Sequence, residues 1–378
     1  MTPGERAVVD MVRTLRSQGI SVIDLGGGEP DFDTPSHIVD AAANALTEGF
    51  THYTASPGLP ELLDAIAEKL GKDNGVAVDP ATELIVTPSA KHALFVSLMT
   101  ILDPGDELLV PTPSWVSYGA MARLAGATPV PVPLARDNDF RLTREALEDE
   151  RTEHTKAILV NTPNNPTGRS LSQTEAIDLA AFAIDHDLFI VTDEIYEKVL
   201  FEGAEHISMA SIPGCADRTL TVNGFSKGYA MTGWRLGYVA GPGDVIGEAL
   251  KVQQHTVGCA GSFVQRGAVA ALTGRQDVIE QMTAEYATRR DLIVAGLNSL
   301  PGISCPSPEG ALYVFPDIRG TGFTSSEDFA GQLLRGAGVA VTPGSAFGPG
   351  GEGHIRLSFA ASRKALDEAV ERMAGVLR

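Results

Sequence analysis

From residue 84 onward, short apolar segments alternate with longer segments of helical character, and this alternation restricts the fold more than any other feature of the sequence. The apolar segments lie at 84–87, 107–110, 128–132, 157–161, 188–192 and 219–222. Strands that alternate with helices predict a mostly parallel sheet with helices on both faces. A further segment, 235–240, follows its predecessor too closely for a helical crossover, so we expect a seventh strand that pairs antiparallel.

The pattern changes near residue 276, where a long helical segment begins. The remaining predicted strands are 311–315, 338–342 and 354–359. The predicted helices are 7–18, 35–48, 60–70, 89–102, 115–125, 144–149, 172–186, 276–300 and 363–377. We therefore predict an α/β protein with a large domain at 36–276, whose mostly parallel sheet has seven strands, and a smaller α+β domain formed by 1–35 and 277–378.

The composition argues against several classes of function. With 43% hydrophobic and 20% charged residues, the chain of 378 residues is typical of a soluble globular enzyme. No apolar run approaches the roughly 18 residues of a membrane helix, and no apolar stretch follows Met1–Arg6, so we expect a cytoplasmic protein without a membrane partner. A net charge of −19 argues against nucleic-acid binding. Three scattered cysteines are too few for a disulfide framework or a zinc site, and we predict no metal.

One stretch, 223–237, combines a lysine and an arginine in an otherwise apolar and glycine-rich setting. Lys227 lies among small and aromatic residues, and Arg235 follows between two glycines. A lysine that is removed from water gives up its proton more readily and can form an imine with a carbonyl compound. An arginine fork grips phosphate oxygens with two bonds. An imine together with a phosphate indicates pyridoxal phosphate. The alternative is two strands joined by a loop with a solvated lysine.

Most other candidates for chemistry lie at the carboxyl ends of predicted strands, where open parallel sheets bind ligands. Ser89, Ala90 and Lys91 open a helix after the strand 84–87. The Ser89 hydroxyl and the first backbone N–H groups could bind a phosphate, or Ser89 could be an N-cap alone. Trp115 follows the next strand, and its ring could stack on a pyridine ring or pack under its own loop.

Two further strand ends carry polar groups suited to a pyridine ring. The segment 161–168 includes Asn165, whose amide could donate to a phenolate-type oxygen, although its prolines could also mean only a stiff loop. Asp193 ends the strand 188–192, and its carboxylate could keep the ring nitrogen protonated, which makes the cofactor an electron sink. Asp193 could otherwise cap the next turn. Tyr196 could place its hydroxyl beside the ring oxygen.

Arg356 alternates with apolar residues in the predicted strand 354–359. A fork-shaped cation that points from this strand into a cleft suits the α-carboxylate of an amino acid. An exposed strand arginine is the alternative.

Together these motifs resemble the fold-type I pyridoxal phosphate enzymes, in particular the class I/II aminotransferases of the aspartate aminotransferase family. The resemblance runs from about residue 20 to the C-terminus. Its strongest marks are Gly-Glu-Pro-Asp-Phe at 28–32, Asn-Asn-Pro-Thr-Gly at 164–168, Asp-Glu-Ile-Tyr at 193–196, and Ser-Lys with Gly-Trp-Arg-Leu-Gly within 226–237. Their occurrence in family order and with suitable spacing makes the resemblance specific.

The resemblance implies a set of roles around the cofactor. Lys227 would form the Schiff base and would move the substrate proton, and Asp193 would pair with the pyridine nitrogen. Asn165 and Tyr196 would contact the ring oxygen, and Trp115 would stack on the ring. The implied reaction moves an amino group between an L-amino acid and a 2-oxo acid, which are the expected substrates.

The resemblance also implies contacts to the phosphate, to the substrate and to a second subunit. The phosphate would be held by Ser89, the amides of Ala90 and Lys91, and Arg235. Arg356 would bind the substrate carboxylate close to the backbone of Gly28, with Trp115 and Asn165 also in the substrate site. Tyr53 would reach the phosphate of a neighbouring subunit, which implies a homodimer with shared active sites.

The chain departs from the family pattern at three places. Gly224 stands where many members carry a serine or threonine three residues before the lysine, so one phosphate contact is expected to be missing. The N-terminal arm before residue 7 is shorter than in many relatives, and Gly-Cys-Ala-Gly at 258–261 lacks the proline often found there. No arginine is assigned to a distal substrate carboxylate, and Lys91 and Arg6 are candidates for reading the substrate side chain.

Two other kinds of function remain open. The same scaffold supports β-elimination, cyclisation or oxidation of an amino acid, since the motifs hold the cofactor and do not select the outcome. A sensing module of a transcription factor, which binds pyridoxal phosphate or an amino acid, would need a DNA-binding extension and a basic face. The net charge of −19 disfavours such a module. The motifs do not identify the amino acid.

Overall fold

The computed structural model describes residues 11–14, 16–19 and 21–377. Residues 11–14 and 16–17 are helical, which agrees with the described part of the predicted helix 7–18. Arg6 and the start of that helix lie outside the described residues.

Twelve strands make up the sheets of the described chain. They are β1 (Ile23–Asp24), β2 (Leu84–Thr87), β3 (Glu107–Thr112), β4 (Thr128–Pro133), β5 (Thr155–Asn161), β6 (Phe189–Asp193), β7 (Thr219–Gly224), β8 (Gly237–Ala240), β9 (Tyr313–Val314), β10 (Val339–Ala340), β11 (Thr342–Pro343) and β12 (Ile355–Ser358). Strands β2 to β8 form one sheet in the order β2-β8-β7-β6-β5-β3-β4. Strand β8 runs antiparallel to β2 and β7, and the other neighbours are parallel. The predicted α/β class, the seven strands and the antiparallel last strand are confirmed.

Helices cover this sheet, and further helices come after its last strand in the sequence. They are α1 (Ser36–Thr47), α2 (Pro60–Lys69), α3 (Ala90–Ile101), α4 (Ser117–Leu124), α5 (Arg144–Glu150), α6 (Gln173–Asp185), α7 (Gly243–Thr256), α8 (Ser262–Thr273), α9 (Asp277–Asn298), α10 (Ser326–Gln332) and α11 (Arg363–Val376). The sequence analysis did not predict α7 and α8. Helix α7 buries only Ile246, Ala249 and Gln253, so its apolar stripe is too sparse to be recognised by periodicity. Within the described part of the chain, no helix is both long and apolar enough to cross a membrane.

Strand residues alternate between two cores on opposite faces of the large sheet. Leu108 and Leu159 pack with residues of α3 and α4. Leu109, Ile158 and Ile190 pack with residues of α5 and α6. Because helices cover both faces, central strands such as β5 and β6 are apolar along most of their length, which is why the sequence pattern could locate them.

Two small sheets join the ends of the chain. Strand β1 pairs in parallel with β10, and β9, β11 and β12 form an antiparallel sheet in the order β11-β12-β9. The N-terminal strand therefore pairs with the C-terminal part, in line with the predicted grouping of 1–35 with 277–378. The domain boundaries themselves stay a prediction.

Candidate active site

A cavity of about 460 Å³ lies at the carboxyl ends of β5 and β6, against the start of α3. Its size suits a small molecule. The predicted site residues that line it are Gly28, Ser89, Ala90, Lys91, Trp115, Asn165, Asp193, Tyr196, Lys227, Arg235 and Arg356. Tyr53 is not part of this wall, and its side chain is 95% exposed. The structure thus brings together every predicted site residue except Tyr53, while their individual roles stay predictions.

A larger cavity, of about 880 Å³, lies between α2 and α9 and shares no residue with this site. Its wall carries charges of both signs, and Lys198 pairs with Asp73 there at 2.5 Å. We place the candidate active site in the smaller cavity, because that cavity holds the predicted site residues.

Lys227 lies in the loop that joins β7 to β8. Its Nζ donates a hydrogen bond to the carbonyl oxygen of Gly28 and lies 6.0 Å from the centre of the Tyr196 ring. The side chains of Phe225 and Tyr229 are buried on either side and anchor the loop. Gly28 has no space for a side chain, because an added Cβ would meet a tyrosine hydroxyl at 2.0 Å. The lysine amine is therefore held by a neutral acceptor at the cavity wall.

Asp193 ends β6 and is only 3% exposed. Its Oδ2 accepts a hydrogen bond from the Tyr118 hydroxyl at 2.8 Å, and its Oδ1 accepts one from the backbone N–H of Ile195 at 3.3 Å. Burial raises the pKa of Asp193 from 3.8 to about 6, because these two hydrogen bonds only partly offset the loss of water. The bond from Ile195 shows that the turn-capping role also applies. The carboxylate still lacks a cationic hydrogen-bond partner that would stabilise its charge.

Arg356 lies on β12 and is 7% exposed, so the alternative of an exposed strand arginine is wrong. Its Nη1 donates to Oδ1 of Asn165 at 2.9 Å, and its Nη2 donates to the Gly26 carbonyl at 2.5 Å. Its guanidinium carbon lies 4.4 Å from the centre of the Tyr313 ring. Its Nε is buried without a hydrogen-bond partner. A buried guanidinium with neutral acceptors and an unused donor is suited to bind a carboxylate.

Two polar side chains, Tyr196 and Asn165, lie near the aspartate and the arginine. The Tyr196 hydroxyl is 2.8 Å from that of Tyr313. Burial, and next the neighbouring Tyr313, raise the pKa of Tyr196 well above its usual range, so its hydroxyl stays protonated and can donate. The backbone N–H of Asn165 donates to Oδ1 of Asn161, whose Nδ2 donates to the Asp193 carbonyl, both at 2.8 Å. This pair of bonds fixes the loop after β5 to the end of β6.

Positive charge collects at the start of α3. Ser89 has a φ of 111° and its Oγ accepts from a backbone N–H of the first turn at 3.3 Å, so it is an N-cap. Arg235, predicted as the start of a strand, has a φ of 55° and precedes β8. The Lys91 Nζ lies 4.7 Å from the centre of the Trp115 ring. Burial, and next the repulsion by Arg235, lower the pKa of Lys91. Two cations beside a helix N-terminus form a site for an anion.

Gly224 occupies a position with no space for a hydroxyl. An added Cβ would lie 2.9 Å from the Leu236 carbonyl oxygen and 3.0 Å from the Cα of Gly237. A serine or threonine here would require β7 and β8 to separate. The departure from the family pattern is therefore built into the pairing of these two strands.

Behind Asp193, a buried ionic cluster fixes the turn that follows β6. Glu194 accepts hydrogen bonds from the Ser208 hydroxyl at 2.9 Å, and the His206 Nε2 lies 2.9 Å from its other oxygen. Lys69 pairs with Glu197. Burial alone would raise the pKa of Glu197, but the charges of Lys69 and His206 and the hydrogen bonds from Lys69 and Asn74 together outweigh burial and hold the pKa at about 2. The opposite charges of this cluster compensate each other.

The two ends of the cavity fit pyridoxal phosphate. Lys91, Arg235 and the start of α3 suit a phosphate, which would relieve the repulsion between the two cations. Asp193 suits a protonated ring nitrogen, which would supply the cationic partner that this carboxylate lacks. Lys227 lines the same cavity and suits an aldehyde.

Two site residues, Tyr118 and Tyr313, were not predicted from the sequence. Tyr118 follows Trp115 by one helical turn and contacts it edge to face at 5.4 Å, so its spacing from Trp115 was an available signal. Tyr313 lies among apolar residues of β9, and nothing in its neighbourhood in the sequence marks it.

Comparison with known proteins supports the family that the sequence motifs resemble. Residues 20–373 match the family model described as aminotransferase class I and II. The chain is 51% identical over 368 residues to an aspartate aminotransferase of Musicola paradisiaca, which covers 97% of this chain and 92% of that protein. It is similar to the structure of aspartate aminotransferase from Thermus thermophilus with maleate, with a TM-score of 0.94, 41% identity, and coverage of 100% of this chain and 97% of the other. It is also similar to an aromatic aminotransferase from Pyrococcus horikoshii, with a TM-score of 0.93, 44% identity, and coverage of 98% of both chains.

Proposed function

Because the chain belongs to the class I and II aminotransferases, we propose that its central cavity binds pyridoxal 5′-phosphate and moves an amino group between an L-amino acid and a 2-oxo acid. One observation carries the proposal: a lysine amine, a buried carboxylate and two cations at a helix start line the same cavity. When bound, the cofactor supplies a carbonyl group to which amines add and a protonated ring that withdraws electrons.

Lys227 is the proposed proton carrier. Its Nζ contacts only the neutral Gly28 carbonyl as a hydrogen-bond acceptor. From this position at the cavity wall, the amine is proposed to take a proton from the substrate α-carbon and to return it. Asp193 is proposed to stay ionised against the ring nitrogen, held by Tyr118. Tyr196 keeps its proton and is proposed to donate to the ring oxygen.

The α-carboxylate of the substrate is proposed to bind Arg356. Among the described residues, the guanidinium donates to three neutral acceptors, Asn165, Gly26 and Thr342, and has an unused Nε donor. A carboxylate accepts two parallel bonds from such a fork and so fixes the orientation of the α-carbon. Asn165 would adjust its contact with Arg356 when the carboxylate arrives, and Trp115 lines the same cavity.

The cofactor assignment is tested by absorbance. The protein with added cofactor should show the visible band of a lysine–cofactor linkage, and Lys227→Ala should lose it. Lys251→Ala, which changes an exposed lysine of α7, is the matched control and should keep the band. An unchanged spectrum in Lys227→Ala would overturn the assignment. A suitable amino acid should bleach the band and a 2-oxo acid should restore it, whereas an enzyme of β-elimination or cyclisation would not need the second step.

We propose aspartate as the preferred amino donor. The names of the relatives support an acidic substrate, since one is an aspartate aminotransferase and a similar structure contains maleate, a dicarboxylate. Comparing kcat/KM for aspartate, phenylalanine and tyrosine tests this preference. Higher values for the aromatic amino acids would instead align the enzyme with the Pyrococcus horikoshii relative.

We also propose a homodimer in which Tyr53 reaches the phosphate site of the partner. The 95% exposure of Tyr53 leaves its side chain available for such a contact. The mass in solution should be twice that of the chain, and a monomeric active enzyme would refute the shared site. A cytoplasmic location stays a prediction from the sequence.

A further inference from the structure

The segment 26–32 brings two backbone carbonyl groups to the active site, besides the side chain of Glu29, which accepts a hydrogen bond from the Thr232 hydroxyl. The Gly28 carbonyl accepts a hydrogen bond from the Lys227 Nζ. The Gly26 carbonyl accepts one from Nη2 of Arg356 at 2.5 Å. The segment begins with three glycines and forms neither helix nor strand. Its position against these two cations must therefore be set by contacts farther along the segment.

Arg289 of α9 makes those contacts. Its Nη1 donates to Oδ1 of Asp31 at 2.6 Å. Its guanidinium carbon lies 5.0 Å from the centre of the Phe32 ring, and Phe32 meets the Tyr286 ring edge to face at 5.2 Å. The Arg289 side chain is 8% exposed. One buried guanidinium thus holds two consecutive residues of the segment, one by charge and one by its flat face.

The other side of the guanidinium is itself fixed. The Arg289 Nε donates to Oε1 of Glu285, one turn earlier on α9, at 2.9 Å. The same oxygen accepts from the Nε of Arg363 on α11 at 3.0 Å. Charges of alternating sign therefore run from Asp31 through Arg289 and Glu285 to Arg363. This chain of ion pairs ties the segment to two helices that pack against each other.

We propose that Arg289 is a positioning residue for substrate binding, which holds the segment 26–32 so that its carbonyl groups stay against Lys227 and Arg356. The inference rests on the proposed function of the cavity. Among the described residues, the groups assigned to the cofactor phosphate and ring come from α3, from the ends of β3, β5 and β6 and from the loop before β8, and none of them contacts Arg289, whose partners are Asp31, Glu285 and two aromatic rings. Loss of Arg289 should therefore weaken substrate binding and leave cofactor binding intact.

Removing Arg289 should not unfold the protein. Asp31 is 32% exposed and can be solvated when its partner is gone. Glu285 keeps its ion pair with Arg363. No buried charge is left without compensation, which is the usual cause of severe loss of stability. Methionine at 289 would also keep an apolar stem against the Phe32 ring.

The experiment compares Arg289→Met and Asp31→Asn with Arg290→Met as the matched control. Arg290 is the next residue of α9, is similarly enclosed, and contacts Phe201 and Asp291 instead of the segment. In Arg289→Met and Asp31→Asn, KM for the amino acid should rise about tenfold, while the cofactor Kd changes less than about twofold. The double variant should have a KM no higher than that of either single variant, because each substitution removes the same contact between Arg289 and Asp31. Arg290→Met should match the parent enzyme.

Hydrogen exchange of peptides that cover 26–32 gives a second readout, which needs no cofactor. Exchange should accelerate in Arg289→Met, and Arg289→Lys should recover part of both the protection and the KM, since it keeps the charge and loses the fork. Unchanged KM or unchanged exchange in Arg289→Met would overturn the inference. Failure of the parent protein to bind the cofactor would instead overturn the proposed function, and the exchange measurement would still report on Arg289.

Discussion

Asp193→Asn should make the cofactor-free protein more stable near neutral pH while it abolishes amino-group transfer. An ordinary aspartate has a pKa of 3.8, and burial raises the pKa of Asp193 to about 6. With about 1.4 kcal/mol for each pKa step, the ionised carboxylate costs about 3 kcal/mol of folding free energy. Asparagine keeps an oxygen that can accept the Tyr118 hydrogen bond and carries no charge to desolvate.

The pH dependence follows from the direction of the pKa shift. The folded protein holds this proton more tightly than the unfolded chain does, so the group's contribution to stability is fully present below a pH of about 3.8 and is lost as the pH rises through about 6. Asparagine does not titrate. The gain in stability of Asp193→Asn should therefore approach about 3 kcal/mol near pH 8, be roughly half as large near pH 5, and vanish at lower pH.

Thermal unfolding of the cofactor-free protein measures this gain. For a chain of 378 residues, about 3 kcal/mol corresponds to a rise in Tm of about 4 °C near pH 8. Asp40→Asn, on the exposed surface of α1, is the control and should leave Tm unchanged. Added cofactor should reduce the difference in Tm between Asp193→Asn and the parent protein, because only an ionised Asp193 gains a partner from a protonated ring nitrogen. A variant that is no more stable near pH 8, or equally stabilised at both pH values, would refute the reasoning.

Three further substitutions probe neighbouring parts of the site. Tyr118→Phe removes a hydrogen bond that lowers the pKa of Asp193. Cofactor affinity, measured by absorbance, should therefore fall roughly tenfold near pH 7 and recover as the pH is raised. A loss of affinity that does not depend on pH would contradict this explanation. Gly28→Ala places a Cβ 2.0 Å from a tyrosine hydroxyl, so kcat/KM should fall at least about tenfold, whereas Gly27→Ala, with open space around its Cβ, should be far milder. Arg356→Lys keeps the charge and loses the planar guanidinium, so KM for the amino acid should rise about ten- to a hundredfold with little change in cofactor Kd. Equal effects on KM and on cofactor Kd would exclude Arg356 from the substrate site.

Much of the fold could be predicted because burial on both faces makes the central strands of the large sheet, such as β5 and β6, mostly apolar. The short connection between β7 and β8 also excluded a crossover, which predicted their antiparallel pairing. Helices α7 and α8 were missed, and the sparse buried face of α7 gives no clear period. Arg235 was placed in a strand, whereas its left-handed backbone turns the chain before β8. Such a turn depends on local conformation that hydrophobic pattern does not encode.

The site could be predicted to the extent that topology brings its parts together. Carboxyl ends of neighbouring parallel strands meet at one edge of the sheet, so Asn165 and Asp193 were expected to be close. Tyr118 and Tyr313 were missed because their roles arise from contacts between distant positions. The Tyr118–Asp193 bond spans 75 residues and the Tyr196–Tyr313 bond spans 117. No spacing in the sequence indicates that such distant residues meet, although the spacing of Tyr118 from Trp115 could have marked Tyr118 as a candidate.

The charges at the two ends of the cavity also explain how the proposed cofactor would be oriented before it forms short contacts. One group of residues, Lys91 and Arg235 beside the start of α3, repels itself and favours an anion. Asp193 is a buried carboxylate that favours a cation. A molecule with a phosphate at one end and a protonated nitrogen at the other lowers the energy of both groups in one orientation and of neither in the reverse. Its carbonyl group then faces the cavity wall that carries Lys227. The position of Lys227 does not depend on a charged partner, because its Nζ donates to the Gly28 carbonyl.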